Sequence, residues 1–328
     1  MFKKIRKALL VSMVLAASTG AIQLAQAQTY PSKPIKLIVP FAPGGATDSV
    51  GRTVAEYLGT RLGEPIVVEN RGGAGGTIGS AAAARSAPDG YTLLLGTAET
   101  FGIAENMFKD LPFDAGRDFT PVALATRIPS VFAVNPTVQA NDMKGFIALA
   151  KGKSGKYNIG SPGIGTNIQL IGELLKSRFQ LDLIHVPYKG GGQAMADLLA
   201  GQIQIMPSAL SVAAPHIKAG KLRALAVTGP NRSPLLPQVP TMAEAGIPDF
   251  VVGGWFGVLA PAGTPQPVLD RLEKEMIAIG KMPDFKEKML NLGGEGDVIA
   301  GKEFAAFITH ETKRWKDIVQ AAGIAEAK

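Results

Sequence analysis

The chain alternates short apolar runs with glycine- or proline-rich turns and amphipathic stretches, and this alternation constrains its fold more than any other feature. Ile35–Val39 has the length and apolar character of a buried strand, and a turn rich in proline and glycine follows it. Apolar residues then recur four apart, as on one face of a helix: Val50, Val54, Leu58 and Leu62. Strands that alternate with helices predict an α/β fold with a largely parallel sheet covered on both faces.

The alternation restarts in the middle of the chain and predicts a second α/β lobe. Strands are predicted in the first part at 35–39, 65–69 and 91–95, and in the second at 130–135, 157–160, 183–186, 203–206 and 222–227. A strand near 255–259 and three helical stretches follow, and we expect these helices to return and cover the first lobe. The predicted organisation is residues 28–128 with 252–328 as lobe 1 and residues 129–251 as lobe 2.

Residues 1–27 have the features of a cleavable signal peptide. A basic segment (Lys3 to Lys7) precedes a short apolar run, and Ala25-Gln26-Ala27 supplies a cleavage site that makes Gln28 the first mature residue. The apolar run is shorter than the roughly 20 residues that a membrane-spanning helix needs. We therefore predict export to the periplasm rather than a membrane anchor.

Composition and spacing argue against several classes of site. The chain has no cysteine and three histidines, so we expect no metal site and no cofactor. Its net charge of +7 includes four cations in the predicted signal peptide, which gives little support to nucleic-acid binding. Ile168 and Ile78 stand where a dinucleotide-binding loop needs its third glycine, and Ile159 replaces the first glycine of a nucleophile elbow at Ser161. His185 falls in a predicted strand and is interpreted as a core residue.

Two loops at the predicted carboxyl ends of strands lead into helix N-termini, where free N–H groups and the helix dipole favour anions. The first is Pro43 to Asp48, and the second is Ser161 to Asn167. For the first loop, the motif alone favours a structural turn in which Thr47 or Asp48 caps the helix. In the second loop, Thr166-x-x-Gln169 fits a capping box, which is compatible with ligand binding.

These loops, taken with other segments in order, are similar to those of the tripartite tricarboxylate transporter substrate-binding proteins, the Bug family. The resemblance covers essentially the whole predicted mature chain. The matching segments are Tyr30-Pro31-Ser32-Lys33-Pro34-Ile35, Pro43-Gly44-Gly45-x-x-Asp48-x-x-x-Arg52, Val68-Glu69-Asn70-Arg71-x-Gly73-Ala74-Gly75-Gly76, Gly165-Thr166, Val186-Pro187-Tyr188-Lys189-Gly190-Gly191, Gly220-Lys221-Leu222-Arg223-Ala224-Leu225-Ala226 and Leu259-Ala260-Pro261-Ala262-Gly263-Thr264-Pro265.

The resemblance implies a two-lobed periplasmic receptor of the Venus-flytrap type, similar to type II binding proteins, that delivers a small organic acid to a membrane permease. It implies that both loops hold the ligand carboxylate, which reverses the structural interpretation of the first loop. The ligand-binding residues that it implies are Phe41, Pro43, Gly44, Gly45, Ala46, Thr47 and Asp48 in the first loop, Ser161, Gly163, Gly165, Thr166 and Asn167 in the second, and Ala98 and Ser208 elsewhere. Closure would use hinge segments near 126–131 and 226–252, and we expect a monomer.

Two departures from the family pattern bear on the ligand. Gln169 stands where family members commonly have histidine, and Pro207-Ser208-Ala209 stands where many have Asp-Asn. Because an acid is a natural partner for an ammonium group, we expect a dicarboxylate or an aromatic carboxylate rather than an amino acid. Two alternatives stay open: a receptor that reports to a membrane signalling protein, and a periplasmic enzyme acting on an organic acid.

Overall fold

A computed structural model of the protein describes residues 30–108, 110–152 and 155–324. The predicted signal peptide and Gln28 lie outside the described residues. All the strands and helices described belong to the compact unit Lys33–Lys328. None of the helices in the described ranges is long and apolar enough to cross a membrane.

Ten strands alternate with helices along this unit. The strands are β1 (Ile35–Val39), β2 (Ile66–Asn70), β3 (Thr92–Thr97), β4 (Phe119–Val134), β5 (Asn158–Ser161), β6 (Ile184–Pro187), β7 (Ile205–Ala209), β8 (Arg223–Val227), β9 (Gly253–Pro261) and β10 (Ile299–Ala300). The α-helices are α1 (Ala46–Leu62), α2 (Thr77–Ala84), α3 (Ala104–Met107), α4 (Met143–Lys151), α5 (Asn167–Phe179), α6 (Gly191–Ala200), α7 (Leu210–Lys218), α8 (Gln266–Gly280), α9 (Pro283–Asn291) and α10 (Gly301–Ala321). A 3-10 turn (Ala74–Gly76) precedes α2, and a π-helical turn (Glu99–Ile103) precedes α3.

The strands pair in the order β2-β1-β3-β9-β4-β7-β5-β6, and β8 and β10 pair with β4 as well. The α/β class and the flanking helices are confirmed, but each part of the sheet is mixed rather than mostly parallel. Strand β1 runs parallel to β2 and β3, and β5 runs parallel to β6 and β7. In contrast, β9 is antiparallel to β3 and β4, and β4 is antiparallel to β7 and β8. The antiparallel pairs arise because the chain leaves the first part of the sheet along β4 and returns to it along β9.

Strand β4 joins the two parts, and it changes partner at one point. Its residues up to Pro129 pair with β9, whereas Ser130 and the residues after it pair with β7. Proline has no N–H to give to a ladder, so Pro129 suits the end of one pairing and the start of another. The Thr228 hydroxyl accepts the N–H of Ser130 at 2.9 Å. This bond joins the segment after β8 to the point where β4 changes partner. The predicted lobe boundaries lie at these positions, and the division at 128/129 and 251/252 stays a prediction.

The C-terminal helices pack on elements of the first part of the sheet. Helices α8 and α9 lie against α1: the Tyr57 ring meets Phe285 edge-on at 5.3 Å, and Arg61 pairs with Glu275 at 2.7 Å. Helix α10 packs on Glu99–Ile103, where the Thr312 hydroxyl donates to the Phe101 carbonyl at 2.7 Å. Both tryptophans serve packing, because Trp255 and Trp315 are fully buried. Helix α10 therefore packs against residues 99–103, the segment that follows β3.

Candidate functional site

The first loop turns sharply from β1 into α1, and Gly44 and Gly45 make that turn. Gly44 has a φ of +88°, a left-handed conformation that favours glycine. Gly45 is the N-cap of α1, without a side-chain capping bond, so the expectation that Thr47 or Asp48 caps the helix is wrong. The helix begins earlier, at Ala46. Asp48 is its third residue, and the Asp48 side chain reaches back to the N–H of Gly44. Pro43, Gly44 and Gly45 are exposed, and Ala46 and Thr47 are half-buried.

Asp48 holds the first loop in place rather than standing free for a ligand. Its carboxylate is buried and accepts the Gly44 N–H at 2.9 Å, the Arg52 Nε–H at 3.0 Å and the Asn70 amide at 2.9 Å. Burial by itself would raise the pKa of Asp48, but these hydrogen bonds and the charge of Arg52 outweigh it and lower that pKa. Asn70 also donates to the Phe41 carbonyl at 3.1 Å, so one network ties Phe41, Gly44 and Asp48 together.

The N–H groups of Gly45, Ala46 and Thr47 make no hydrogen bond within the described part of the chain. They stand at the N-terminus of the 17-residue helix α1, where the helix dipole adds a partial positive charge. An ideal Cβ at Gly44 or Gly45 would meet no atom within 4 Å, so the space beside these donors is open. Free N–H groups beside open space at a helix N-terminus are the arrangement that suits an anionic group without a cationic side chain, and binding at this loop stays a prediction.

The second loop uses several of its N–H groups in hydrogen bonds to its own side chains. Thr166 is the N-cap of α5, as predicted, and accepts the Gln169 N–H at 3.3 Å. The Gln169 side chain reaches back, as predicted, but to the N–H of Gly165 at 2.8 Å rather than to that of the cap. Gly163 and Gly165 have φ values of +151° and +80°, and the Gly163 N–H points to the Ser161 hydroxyl at 3.3 Å. The N–H groups of Thr166 and Ile168 at the start of α5 make no hydrogen bond within the described part of the chain, so this loop keeps free donors as well.

Ser161 and His185 form a pair that sequence reasoning missed. The Ser161 hydroxyl is buried at the end of β5 and lies 2.7 Å from Nε2 of His185 on β6. In the parallel register Ile159 is opposite His185, so Ser161 and His185 lie two residues apart along the same face. Burial lowers the pKa of His185; Glu173 opposes that shift and Lys176 adds to it. No acidic side chain of the described residues hydrogen-bonds to His185, so the pair lacks the third member of a catalytic triad.

Glu99 connects the second loop to the segment after β3. It follows the buried Ala98, and its carboxyl group receives hydrogen bonds from the Thr97 hydroxyl and the N–H of Asn167, the first residue of α5. Burial outweighs these bonds and raises the pKa of Glu99. Thr100 of the same segment and the Phe41 ring of the first loop both lie beside Gly76, because an ideal Cβ there would be 2.7 Å from Thr100 Cγ2 and 3.2 Å from the Phe41 ring.

Among the described residues, no hydrogen bond joins the Ser208 side chain to either loop. Ser208 is buried in β7 opposite Val131, and its hydroxyl makes one contact of 3.5 Å, with the carbonyl of Ala209. The side chain of Asn167 lies beside strand β9, since an ideal Cβ at Gly254 would be 3.0 Å from its Nδ2 atom. Ser208 therefore stays a prediction that rests on the family resemblance.

A cavity of about 300 Å³ lies at the predicted hinge, on the strands and loops that cross between the two parts of the sheet. Arg127, Glu295, Glu311 and Arg314 are among its lining residues. These charges are compensated within the protein: Arg314 pairs with Glu311 at 3.2 Å, and the Arg127 guanidinium lies 5.0 Å from the centre of the Phe307 ring. The free donors of the first loop make a better anion site than these paired cations.

A mixed α/β sheet in two parts, joined by β4 and carrying loops at helix N-termini, is the architecture of a two-lobed solute-binding protein. The profile of the family described as "Tripartite tricarboxylate transporter family receptor" matches residues 50–324, and the chain belongs to this family. The expected family is therefore confirmed.

Relatives and solved structures agree with that assignment. The chain is 37% identical to the "UPF0065 protein in tcbD-tcbE intergenic region" of Pseudomonas sp., over 96% of this chain and 94% of the relative. It is 36% identical to Protein BugT of Bordetella pertussis, over 94% of this chain and 95% of that protein.

Among solved structures, a periplasmic transporter is 42% identical with a TM-score of 0.83, covering 90% of this chain and 99% of its own. An R. palustris protein solved with adipate is 30% identical with a TM-score of 0.84, over 90% and 99%. MatC from Rhodopseudomonas palustris, solved with bound malate, is 33% identical with a TM-score of 0.76, over 88% and 100%.

Proposed function

We propose that the chain is exported to the periplasm as a receptor that captures a small organic carboxylate between its two lobes and delivers it to a tripartite tricarboxylate-type permease. The observation that carries this proposal is the set of three N–H groups, of Gly45, Ala46 and Thr47, which have no partner among the described residues at the start of α1. Oriented N–H groups bind a carboxylate by charge-assisted hydrogen bonds at little cost of reorganisation.

Capture would combine the two loops. The ligand carboxylate docks on the first loop, and the N-terminus of α5 approaches it when the lobes close about segments 126–131 and 226–252. Binding then shifts an equilibrium between open and closed forms and requires no covalent chemistry. We propose that the protein is not an enzyme and works as a monomer. The Ser161–His185 pair positions the second loop, because Ser161 also bonds to the carbonyl of Gly163 at 3.2 Å.

The proposed ligand is a dicarboxylate or an aromatic carboxylate rather than an amino acid. Pro207-Ser208-Ala209 provides no acid for an ammonium group at the place where many family members have one. Two of the similar structures hold the dicarboxylates adipate and malate. These observations support a linear dicarboxylate as the first class to test.

The test is a thermal-shift screen of the mature chain from Gln28, followed by calorimetry on every hit. The acids would be C4 to C6 dicarboxylates, citrate, aspartate, glutamate, nicotinate and benzene dicarboxylates. A ligand at 100 times its Kd stabilises the native state by about 2.7 kcal/mol, which gives a clear shift. A folded protein that responds to no acid, and from which no acid is recovered after denaturation, would contradict carboxylate capture.

Delivery to a permease needs a separate test in cells. Uptake of the labelled ligand should fall in a strain that lacks this chain and should return with the wild-type chain. It should not return with the Gly45→Val variant, whose side chain would stand beside the free donors. Unchanged uptake would point instead to a receptor that reports to a signalling protein.

A further inference from the structure

The cavity at the predicted hinge is bordered by all three segments that cross between the two parts of the sheet. Strand β4 contributes Pro129 to its lining, the chain after β8 contributes residues 228–230, and the start of β9 contributes residues 251–255. Helix α10 contributes Phe307. Within the described ranges, neither loop of the candidate site lines this cavity. At about 300 Å³ it has the volume of a small-molecule site, separate from the helix N-termini assigned to the carboxylate.

The indole N–H of Trp255 is a buried donor in this lining. Trp255 is 1% exposed, and its Nε1 atom has no hydrogen-bond partner among the described residues. Its aromatic neighbours are Phe101, Phe304 and Phe307, whose ring centroids lie 6.3, 5.8 and 5.8 Å away. Phenyl rings offer no ordinary acceptor, so an acceptor for this N–H has to come from the space that the indole lines. A buried donor left unpaired is unfavourable, which favours an occupant with an acceptor oxygen.

Arg314 adds a second buried donor to the same lining. One end of its guanidinium is engaged, because Nη1 pairs with Glu311 at 3.2 Å. Its Nε–H is buried and has no partner within the described part of the chain. The cavity therefore combines two unpaired N–H groups, from two side chains on different elements, with no unpaired buried acceptor among the described residues.

The charges of the lining are balanced, which favours an uncharged occupant. Arg127 and Arg314 are matched by Glu295 and Glu311, and Arg314 is already paired with Glu311. His310 also borders the cavity, but its side chain is 73% exposed. An anion would approach two acidic side chains and a cation would approach two arginines. Either would lose its hydration without an unengaged counter-ion to replace it.

We propose that the hinge cavity is an accessory site for a small uncharged amide-like compound, whose carbonyl oxygen accepts from the Trp255 indole and whose apolar body packs on Pro129, Val252 and Phe307. A carbonyl oxygen has two lone pairs, so it supplies what the buried donors lack. Its occupant contacts the segments about which the lobes are proposed to close. Binding there alters the affinity of the cleft for its acid, and this consequence rests on the proposed function.

The first experiment compares four compounds that share one ring: benzamide, benzoate, benzylamine and toluene. They present a neutral carbonyl, an anion, a cation and no acceptor. We expect benzamide to bind at least about tenfold more tightly than each of the others, because it alone satisfies the buried donor without introducing a charge. The chain has two tryptophans, so in Trp315→Phe the tryptophan fluorescence comes from Trp255 and reports occupancy of the cavity directly.

Two pairs of variants locate the site, with binding followed by ligand-observed NMR. Trp255→Phe removes the indole N–H, and the preference for benzamide over toluene should fall below about threefold. Trp315→Phe is its control, since Trp315 is equally buried and lies outside the lining. Val251→Trp enlarges a wall residue that is 45% exposed and should weaken benzamide at least about tenfold. Val212→Trp, at a position 42% exposed on α7, should change nothing.

Thermal unfolding establishes that each variant is folded, and the Val251 and Val212 pair decides the location if Trp255→Phe is not. A wild type that binds benzamide no more tightly than the other three compounds would overturn the site. Benzamide binding that is unaffected by folded Val251→Trp would overturn it as well.

Coupling to the cleft is measured with the acid that the wider screen identifies. Saturation with benzamide should change the Kd of that acid at least about threefold, and the acid should change the Kd of benzamide by the same factor. An unchanged acid Kd would overturn the coupling.

The Gly45→Val variant separates this inference from the proposed function. Its substitution lies at the first loop, so benzamide should bind to it as tightly as to the wild type. Loss of benzamide binding in folded Gly45→Val would place the compound in the cleft and overturn the hinge site. If no acid bound the wild type, carboxylate capture would fail while the benzamide comparison still decided whether the hinge site exists.

Discussion

The two loops lie at equivalent places, each at the carboxyl end of a parallel strand and the start of a helix, yet they treat their N–H groups differently. In the first loop, Asp48 takes only the N–H of Gly44 and leaves the next three free. In the second, Gln169 takes the N–H of Gly165, and Glu99 takes that of Asn167. The first loop leaves a continuous run of free N–H groups, whereas in the second loop the N–H groups of Thr166 and Ile168 are free between others that already have partners in the described part of the chain.

This difference suggests an order of events in capture. A site with free, fixed donors can bind first, because nothing has to be displaced. A site whose donors are in use contributes only when the ligand offers partners that match the groups already there. The first loop would then make the first contact with the carboxylate.

The largest expected effect is at Gly45, where a side chain would cover the free donors. Gly45→Val should weaken binding of the best acid at least about 100-fold, which corresponds to about 2.7 kcal/mol. Its effect on stability should be small, because Gly45 has an ordinary φ of −90° and an open Cβ position. Calorimetry and thermal unfolding check both statements, with Gly116→Val as a control in a turn of the first lobe. Unfolding of Gly45→Val with Gly116→Val intact would favour a purely structural role for this turn.

Asp48→Asn should have the next largest effect, since it removes the charge that organises the first loop. We expect a loss of about 1–3 kcal/mol in the free energy of unfolding and about tenfold in affinity. The folded pKa of Asp48 is depressed, so its stabilisation is complete above the unfolded value near 3.9 and is lost as pH falls through the folded value. Urea unfolding should show a gap between wild type and variant at neutral pH that narrows in acid. A gap independent of pH would contradict this account.

Thr166→Ala tests the second loop, and its effect should be smaller. Loss of the cap should cost about 1 kcal/mol of stability, and affinity should fall only a few-fold. Asp142→Ala is the matched control, because Asp142 caps α4 by accepting the Gly145 N–H at 2.7 Å. The control should lose similar stability and no affinity. If Thr166→Ala weakened binding as much as Gly45→Val, the two loops would not differ as described.

The smallest expected effect is a pH dependence from His185. Its pKa is lowered in the folded protein, so the unfolded chain binds the extra proton more readily. Stability should therefore fall as pH drops through the unfolded histidine value near 6.5, until the folded group is protonated too. In His185→Gln, the free energy of unfolding should change less than in the wild type between about pH 7 and pH 5. Parallel curves for the two proteins would show that burial of His185 does not contribute.

Much of the fold could be predicted because its strands are apolar and its turns are rich in glycine. Predicted strands such as 35–39 and 222–227 overlap the observed ones within a few residues. The first half of β4 was missed because Pro121 and Pro129 interrupt it, and prolines argue against a central strand. The antiparallel direction of several strand pairs was missed for a different reason. The apolar pattern of one strand does not show which other strand lies beside it.

The candidate site likewise has features that the sequence predicts and features that only the structure reveals. Sequence by itself determined the family, the alternation of strands and helices, and the two glycine-containing turns before α1 and α5, because these depend on local conformation and on periodic burial. Only the tertiary structure decided which N–H groups are free, that Ser161 meets His185, and that Glu99 faces the start of α5. Those contacts join residues up to 68 positions apart along the chain or on neighbouring strands, and whether a donor is satisfied depends on groups that local sequence does not bring together.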